Sequence, residues 1–237
     1  MATVTTSKTP VASAGLASEW PAICIPAGAA TFDGFRAWAT SGDFPQRGWV
    51  SFIDGEILID MSPEDLSTHS RIKAEIGCRI HQIVEELDLG EFYPDRTLLS
   101  NSAPNPSTEP DGTFVSWEAF ESGRVRRVAA KSRMGQFVEL KGAPDWVLEI
   151  VSPSSVEKDT RTLRRAYFLA GAAEYWLVNA LGRQIKFQIL DRRRTGYAAV
   201  PSRNGWRRSR AFGRDFRLQR RESRPGFWRY SLEAKPA

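Results

Sequence analysis

The sequence predicts a mixed α/β domain (α+β) built around a mixed central sheet flanked by helices, and three stretches carry that prediction. The run Trp146-Val147-Leu148-Glu149-Ile150-Val151 has strand length, is apolar except for Glu149, and lies between Pro144 and Ser152-Pro153. This is the pattern of a strand buried on both faces. Residues 66–87 space Ile72, Ile76, Ile80, Ile83 and Leu87 by three and four, which makes one apolar helix stripe. Trp49 to Met61 alternates loosely about Asp54-Gly55, a hairpin-turn pair, so strands are expected at 48–53 and 56–61.

The remaining elements follow in order. Residues 1–30 are rich in Ala, Thr, Ser and Pro without periodicity, and read as a flexible N-terminal segment. Thr31 can cap a short helix bearing Phe32, Phe35 and Trp38. Gly90 stops the long helix, and strands are expected at 91–99, 112–117 and near 136–140, with 102–110 a loop. Asp159 to Ala170 reads as a helix with Leu163, Ala166, Tyr167 and Ala170 inward and Gly171 at its end; Glu174 to Asn179 reads as a strand. Short strands near 185–190, 196–200, 214–219 and 227–232 complete the chain. The expected organisation is a domain over 31–180 with a basic, β-rich C-terminal extension of the same domain over 181–237.

With 237 residues the chain is one large domain or two small ones. Cys24 and Cys78 form neither a disulfide framework nor a zinc pattern. No apolar run is long enough for a membrane span, and no basic segment leads into an apolar one at the N-terminus, so a cytoplasmic protein without a membrane partner is expected. Residues 181–237 hold 16 Lys/Arg against 4 Asp/Glu, so this segment can attract polyanions; a solvated arginine-rich surface explains the same count equally well. Arg192, Arg193, Arg207 and Arg208 are the candidates for nucleic-acid contacts.

Glu149 is the first candidate for chemistry, because a carboxylate in a buried strand is costly unless paired, protonated or bound to a cation. Asp145 shares its face but stands four residues away, roughly 13 Å at strand rise, too far to share one ion. Asp111, in Glu109-Pro110-Asp111-Gly112 at the mouth of the strand expected over 112–117, can supply the second acid. Carboxylates from adjacent strand ends suit Mg²⁺, which takes one or two of them plus waters and phosphate oxygens. Each acid also has an ordinary reading: Glu149 neutralised by Arg161 or Arg164, Asp111 a turn residue. Ser152, Ser154 and Ser155 lack a His/Asp partner at triad spacing, and no glycine-rich phosphate loop is present.

Pro110-Asp111, the strand PDWVLEIVSPSS over 144–155, the segment KDTRTLRRAYFLAGAAEYWLVN over 158–179 and IDGEILIDMSPE over 53–64 together resemble the Uma2 family, assigned to the PD-(D/E)XK nuclease superfamily. The resemblance covers about 31–180. It implies a restriction-endonuclease-like fold, a metal-dependent endonuclease acting on nucleic acid (DNA expected), and Asp111 and Glu149 as ligands of Mg²⁺ or Mn²⁺. The superfamily lysine two residues after the acid is Val151 here, and the position four beyond Asp159, where many family members carry lysine, is Leu163. Lys158, at the start of the following helix, and Lys73, one turn from His69 on the long helix, are the candidates to replace it. Glu56, on one hairpin face with Asp60, is a candidate third metal acid, as is Glu64; His69 and Asp159 are candidate additional site residues. Nicking both strands would favour a homodimer. The alternative reading is a nuclease fold that has lost catalysis and binds nucleic acid or protein.

Overall fold

The structure, a computed structural model, describes residues 23–45, 47–101, 106–130 and 135–236. The expected flexible segment therefore lies outside the described residues up to position 22; beyond it Ala27–Ala30 makes a 3-10 turn that buries Ala29. Helix α1 (Phe32–Ala39) begins where expected, with the Thr31 hydroxyl accepting from the Gly34 amide. Strands β1 (Trp49–Ile53) and β2 (Glu56–Asp60) pair antiparallel through the Asp54-Gly55 turn, where both residues take positive φ. A π-helical turn over Leu66–Ser70 leads into α2 (Arg71–Glu86), which buries Ile72, Ile76, Ile80 and Ile83.

The strand expected over 91–99 divides. Strand β3 (Gly90–Pro94) and β4 (Leu98–Ser100) lie in different sheets, with Arg96 at φ 64° between them. A pair of residues at Ser107–Thr108 forms β5 inside the stretch read as a loop. Strand β6 (Gly112–Ser116) ends one residue early because the Ser116 hydroxyl caps a short unexpected helix, α3 (Trp117–Glu121). The unexpected β7 (Val125–Ala129) follows, then β8 (Phe137–Gly142) and β9 (Trp146–Ile150). A second π-helical turn, Lys158–Thr162, opens α4 (Leu163–Ala170), which ends on Gly171 at φ 89°. Strand β10 (Glu174–Asn179) runs parallel to β9, and β11 (Lys186–Arg192) and β12 (Tyr197–Ala199) extend the same sheet. Strands β13 (Arg207–Ser209), β14 (Arg214–Arg224) and β15 (Phe227–Pro236) make a long meander in place of the short strands expected.

The expected mixed central sheet is one of two six-stranded sheets, in the orders β2-β1-β5-β4-β8-β7 and β12-β11-β10-β9-β6-β3, with β13-β14-β15 a third. The second sheet is central. Alternation along β9 sends Trp146, Leu148 and Ile150 to one core with α2 and the third sheet, and Val147 and Val151 to another with α4 and the first sheet. Glu149 points to the second face, between the two large sheets. Burial of this strand on both sides explains its nearly unbroken apolar sequence. No helix among the described residues is long and apolar enough to cross a membrane.

Candidate active site

The register of β6 on β9 pairs Gly112 with Leu148, which sets Asp111 one step further, beside Glu149 and on its face. Asp111 is locked there twice: its amide donates to Leu148 O at 3.0 Å, and its Oδ2 accepts from the Ile150 amide at 2.7 Å. Gly112 follows because a Cβ there would sit 3.1 Å from the Trp146 ring. Past the end of β9, the Ser155 hydroxyl donates to Asp159 Oδ2, and the Asp159 amide donates to Ser155 O at 2.8 Å. This hooks the second π-helical turn back over the strand end. The turn brings Asp159, 1% exposed, and Lys158 into one pocket with Asp111 and Glu149. Asp60, Glu64, Glu109 and His69 line the same pocket.

Two lysines, one of them joined by His69, serve its two sides. Lys73 Nζ reaches Glu64, lies 3.0 Å from Asp95 Oδ2 and 3.5 Å from Asp111 Oδ1, and sits over the Trp49 ring at 5.3 Å. His69 bridges the same acids, with Nε2 3.4 Å from Asp111 Oδ2 and Nδ1 3.4 Å from Glu64 Oε2. Burial opposes charge on both His69 and Lys73, but the carboxylates around them outweigh it and hold both pKa values above their ordinary positions. Burial likewise pushes the Asp111 carboxyl up, yet His69, Lys73 and the Ile150 amide together hold it below the usual range.

Glu149 has the opposite balance. Burial, then the charges of Asp159 and Asp111, push its carboxyl well above the usual range; Lys158 and the Tyr167 hydroxyl, which donates to Oε1 at 2.5 Å, only partly offset them. Asp159 is pushed up to about 6, chiefly by burial. Burial also opposes charge on Lys158, but Glu149, Asp159, Asp111 and Asp60 outweigh it and keep the ammonium protonated. Lys158 Nζ is 3.7 Å from Asp159 Oδ1, an oxygen without a hydrogen-bond partner among the described residues. Glu109, whose Oε2 also lacks one, is pushed up to about 7 by burial.

The structure thus gathers Asp111, Glu149, Lys73, Lys158, His69 and Asp159. Glu56 stands apart: it is exposed at the turn end of β2, four residues from Asp60, and the acid that enters the pocket from this region is Glu64, with Asp60. Neither arginine weighed as the partner of Glu149 reaches it, since Arg161 pairs with Glu157 at 3.1 Å and Arg164 donates to Tyr197 O. Val151 is fully buried in the core with Leu163, Ala166 and Tyr167 of α4. Asp145 is occupied by Arg124 at 2.6 Å and the Ser116 amide. Arg192 and Arg193 lie at the other end of the sheet, against Phe168 and Asp191, and Arg208 faces Asp215 at 3.8 Å. Tyr167 reads as core in the sequence; no local signal marks its hydroxyl. Asp95 and Trp49 are equally hidden, because only tertiary packing brings them to Lys73. Glu109 stands two residues from Asp111 and is findable on that ground.

Fold and pocket together define a restriction-endonuclease-like α+β protein, with acids from adjacent strand ends under a helix-borne lysine. The chain belongs to the Uma2 family: the family model, described as "Putative restriction endonuclease", matches residues 32–221. Its fold is similar to the crystal structure of a "putative nuclease belonging to DUF820" from Anabaena variabilis, with a TM-score of 0.55, 18% identity, and coverage of 77% of this chain and 90% of that one. No curated protein matches the chain.

Proposed function

We propose that this protein is a metal-dependent endonuclease that hydrolyses phosphodiester bonds of nucleic acid, DNA foremost, with Asp111, Glu149 and Asp159 holding Mg²⁺ or Mn²⁺. The observation that carries the reading is the surplus of buried carboxylate around Glu149, against which Lys158 is the cation that counts. The donor set suits a hard cation, since it offers carboxylate oxygens, and Asp159 Oδ1 is buried without a hydrogen bond among the described residues. Glu64, His69 and Asp111 also offer ligand atoms within 4.8 Å of one another, but Lys73 already balances that side. The bound ion would polarise a phosphoryl oxygen and neutralise the charge that builds up on cleavage.

The chain's own groups do the rest. Lys158, protonated, is a donor for developing negative charge and an anchor for the attacking water rather than a base. Tyr167 fixes the Glu149 carboxyl. Lys73 and His69 keep Asp111 ionised. Residues 31–180 would carry the chemistry and 181–237 would help hold nucleic acid. Cutting both strands of a duplex would take two copies of the site, so a homodimer fits this reading, as does a cytoplasmic location. A fold that has lost catalysis is the second reading, motivated by Val151 where the superfamily has lysine.

The test is cleavage of plasmid and single-stranded DNA with Mg²⁺ or Mn²⁺, with EDTA as blank. Wild type should cut, Asp111→Ala and Glu149→Ala should not, and Lys158→Ala should lose about 100-fold or more. Wild type that binds DNA without cutting it would favour the second reading. Cutting that survives both acid substitutions would refute the assignment.

A further inference from the structure

Beside the acidic pocket lies a cleft of about 820 Å³ with the opposite electrical character. Its lining includes Lys186, Arg207 and Arg217 and, among the described residues, no carboxylate. It runs along β11 and takes Leu177 and Gln188 from the sheet face that carries Glu149, and Phe187 from the opposite face. Glu149 pairs with Leu177 on β10, and Leu177 pairs with Gln188 on β11, so Gln188 stands two strand spacings from Glu149, about 10 Å. The wall between them is the π-helical turn, which turns Lys158 and Asp159 into the acidic pocket while Thr160 lines the cleft.

The far wall is built by a tight turn. Asn204 and Gly205 take φ of 52° and 84° between the paired Arg203 and Trp206, the Asn-Gly geometry of a two-residue hairpin. It carries Arg207 onto β13, where the guanidinium lies 5.8 Å from the Phe187 ring and donates to Gly205 O at 3.3 Å. Arg217, by contrast, is engaged by Glu233. Among the described residues Arg207 makes no ion pair, and burial holds its pKa below the ordinary value. A half-buried arginine of this kind calls for an anion from outside the chain.

We propose that this cleft seats the stretch of nucleic-acid strand flanking the scissile phosphodiester, with Arg207 and Lys186 on consecutive backbone phosphates and the neutral amides of Gln188 and Asn204 along its path. The proposal rests on the nuclease reading for its orientation but not for its test. Full-length protein in EDTA, where no metal-dependent cleavage occurs, is titrated with fluorescein-labelled single-stranded DNA over a series of salt concentrations, and anisotropy gives the affinity.

Each lost phosphate contact should lower the slope of log affinity against log salt by about 0.7 for a single strand. Arg207→Gln and the exposed Lys186→Glu should each weaken binding at least several-fold and flatten that slope, and Arg207→Lys should restore most of it. Arg126→Gln, on the exposed edge strand β7, should match wild type. Slopes unchanged in both cleft variants, with melting temperatures unchanged, would overturn the proposal. Binding that depends on Arg207 and Lys186 in a protein that never cuts would uphold the cleft and sink only the nuclease reading.

Discussion

Asp159→Asn should stabilise the metal-free protein at neutral and alkaline pH. The wild-type carboxyl moves from an ordinary 3.8 to about 6 on folding, chiefly because it is buried. The folded state therefore holds this proton more tightly than the unfolded one. Its contribution is most favourable below pH 3.8, declines as pH rises through the window to about 6, and stays lower beyond it. A displacement of roughly two units corresponds to about 3 kcal/mol. That figure already includes the attraction of Lys158, which pulls the other way. Asparagine resembles the protonated acid and can still accept from the Ser155 hydroxyl, so it removes the penalty without removing the hydrogen bond. Urea unfolding in EDTA at pH 4 and pH 8 reads the effect: near-equal stabilities at the lower pH, and a variant more stable by about 3 kcal/mol at the higher. Saturating Mn²⁺ should narrow the gap by stabilising the wild type more. Parallel pH profiles, or a variant less stable at pH 8, would refute the reasoning.

Two further outcomes can be checked alongside it. Tyr167→Phe leaves the buried Glu149 Oε1 without its donor, so unfolding free energy should fall by about 1–3 kcal/mol and Mn²⁺ should raise the melting temperature less than in wild type. Arg36→Met strips the fully buried Glu139 side chain of a two-pronged partner at 2.6 and 2.7 Å; urea unfolding should show a loss of about 3 kcal/mol, with the α1 end of the first sheet exchanging amide hydrogens fastest.

Periodicity carried the fold wherever one residue pattern had one burial environment. The stripe of α2, the Asp54-Gly55 hairpin and the apolar β9 and β10 follow directly from the order of residues. The misses share a cause, which is short elements decided by partners far away. Residues 91–99 look continuous, but Pro94 and Arg96 divide them between two sheets. β5 exists only because β1 and β4 flank it. In the pocket, Glu149 was legible as an outlier because an acid in a buried strand contradicts its surroundings, and Asp111 as the acid at the mouth of the next strand. The choice between Glu56 and Glu64 was not, since it depends on where the π-helical turn places His69 and Lys73. Lys158 was a candidate from its place just past the acidic strand, and one residue of helical phase decides that it, and not Arg161, lines the pocket.

The pocket is stitched from parts of the chain that are synthesised far apart. Ser154 donates to Asp60 across 94 residues, and Ile150 to Asp111 across 39. Asp60, Glu64 and Asp111 leave the ribosome well before Glu149 and Lys158, and β9 has a neighbour on its second side only after Glu174–Asn179 has followed. A growing chain thus carries Asp111 and Glu64 with His69 and Lys73 before the acids of the other half exist. The acids meet only once β9, the second π-helical turn and β10 have followed, so whatever chemistry they perform is withheld until then.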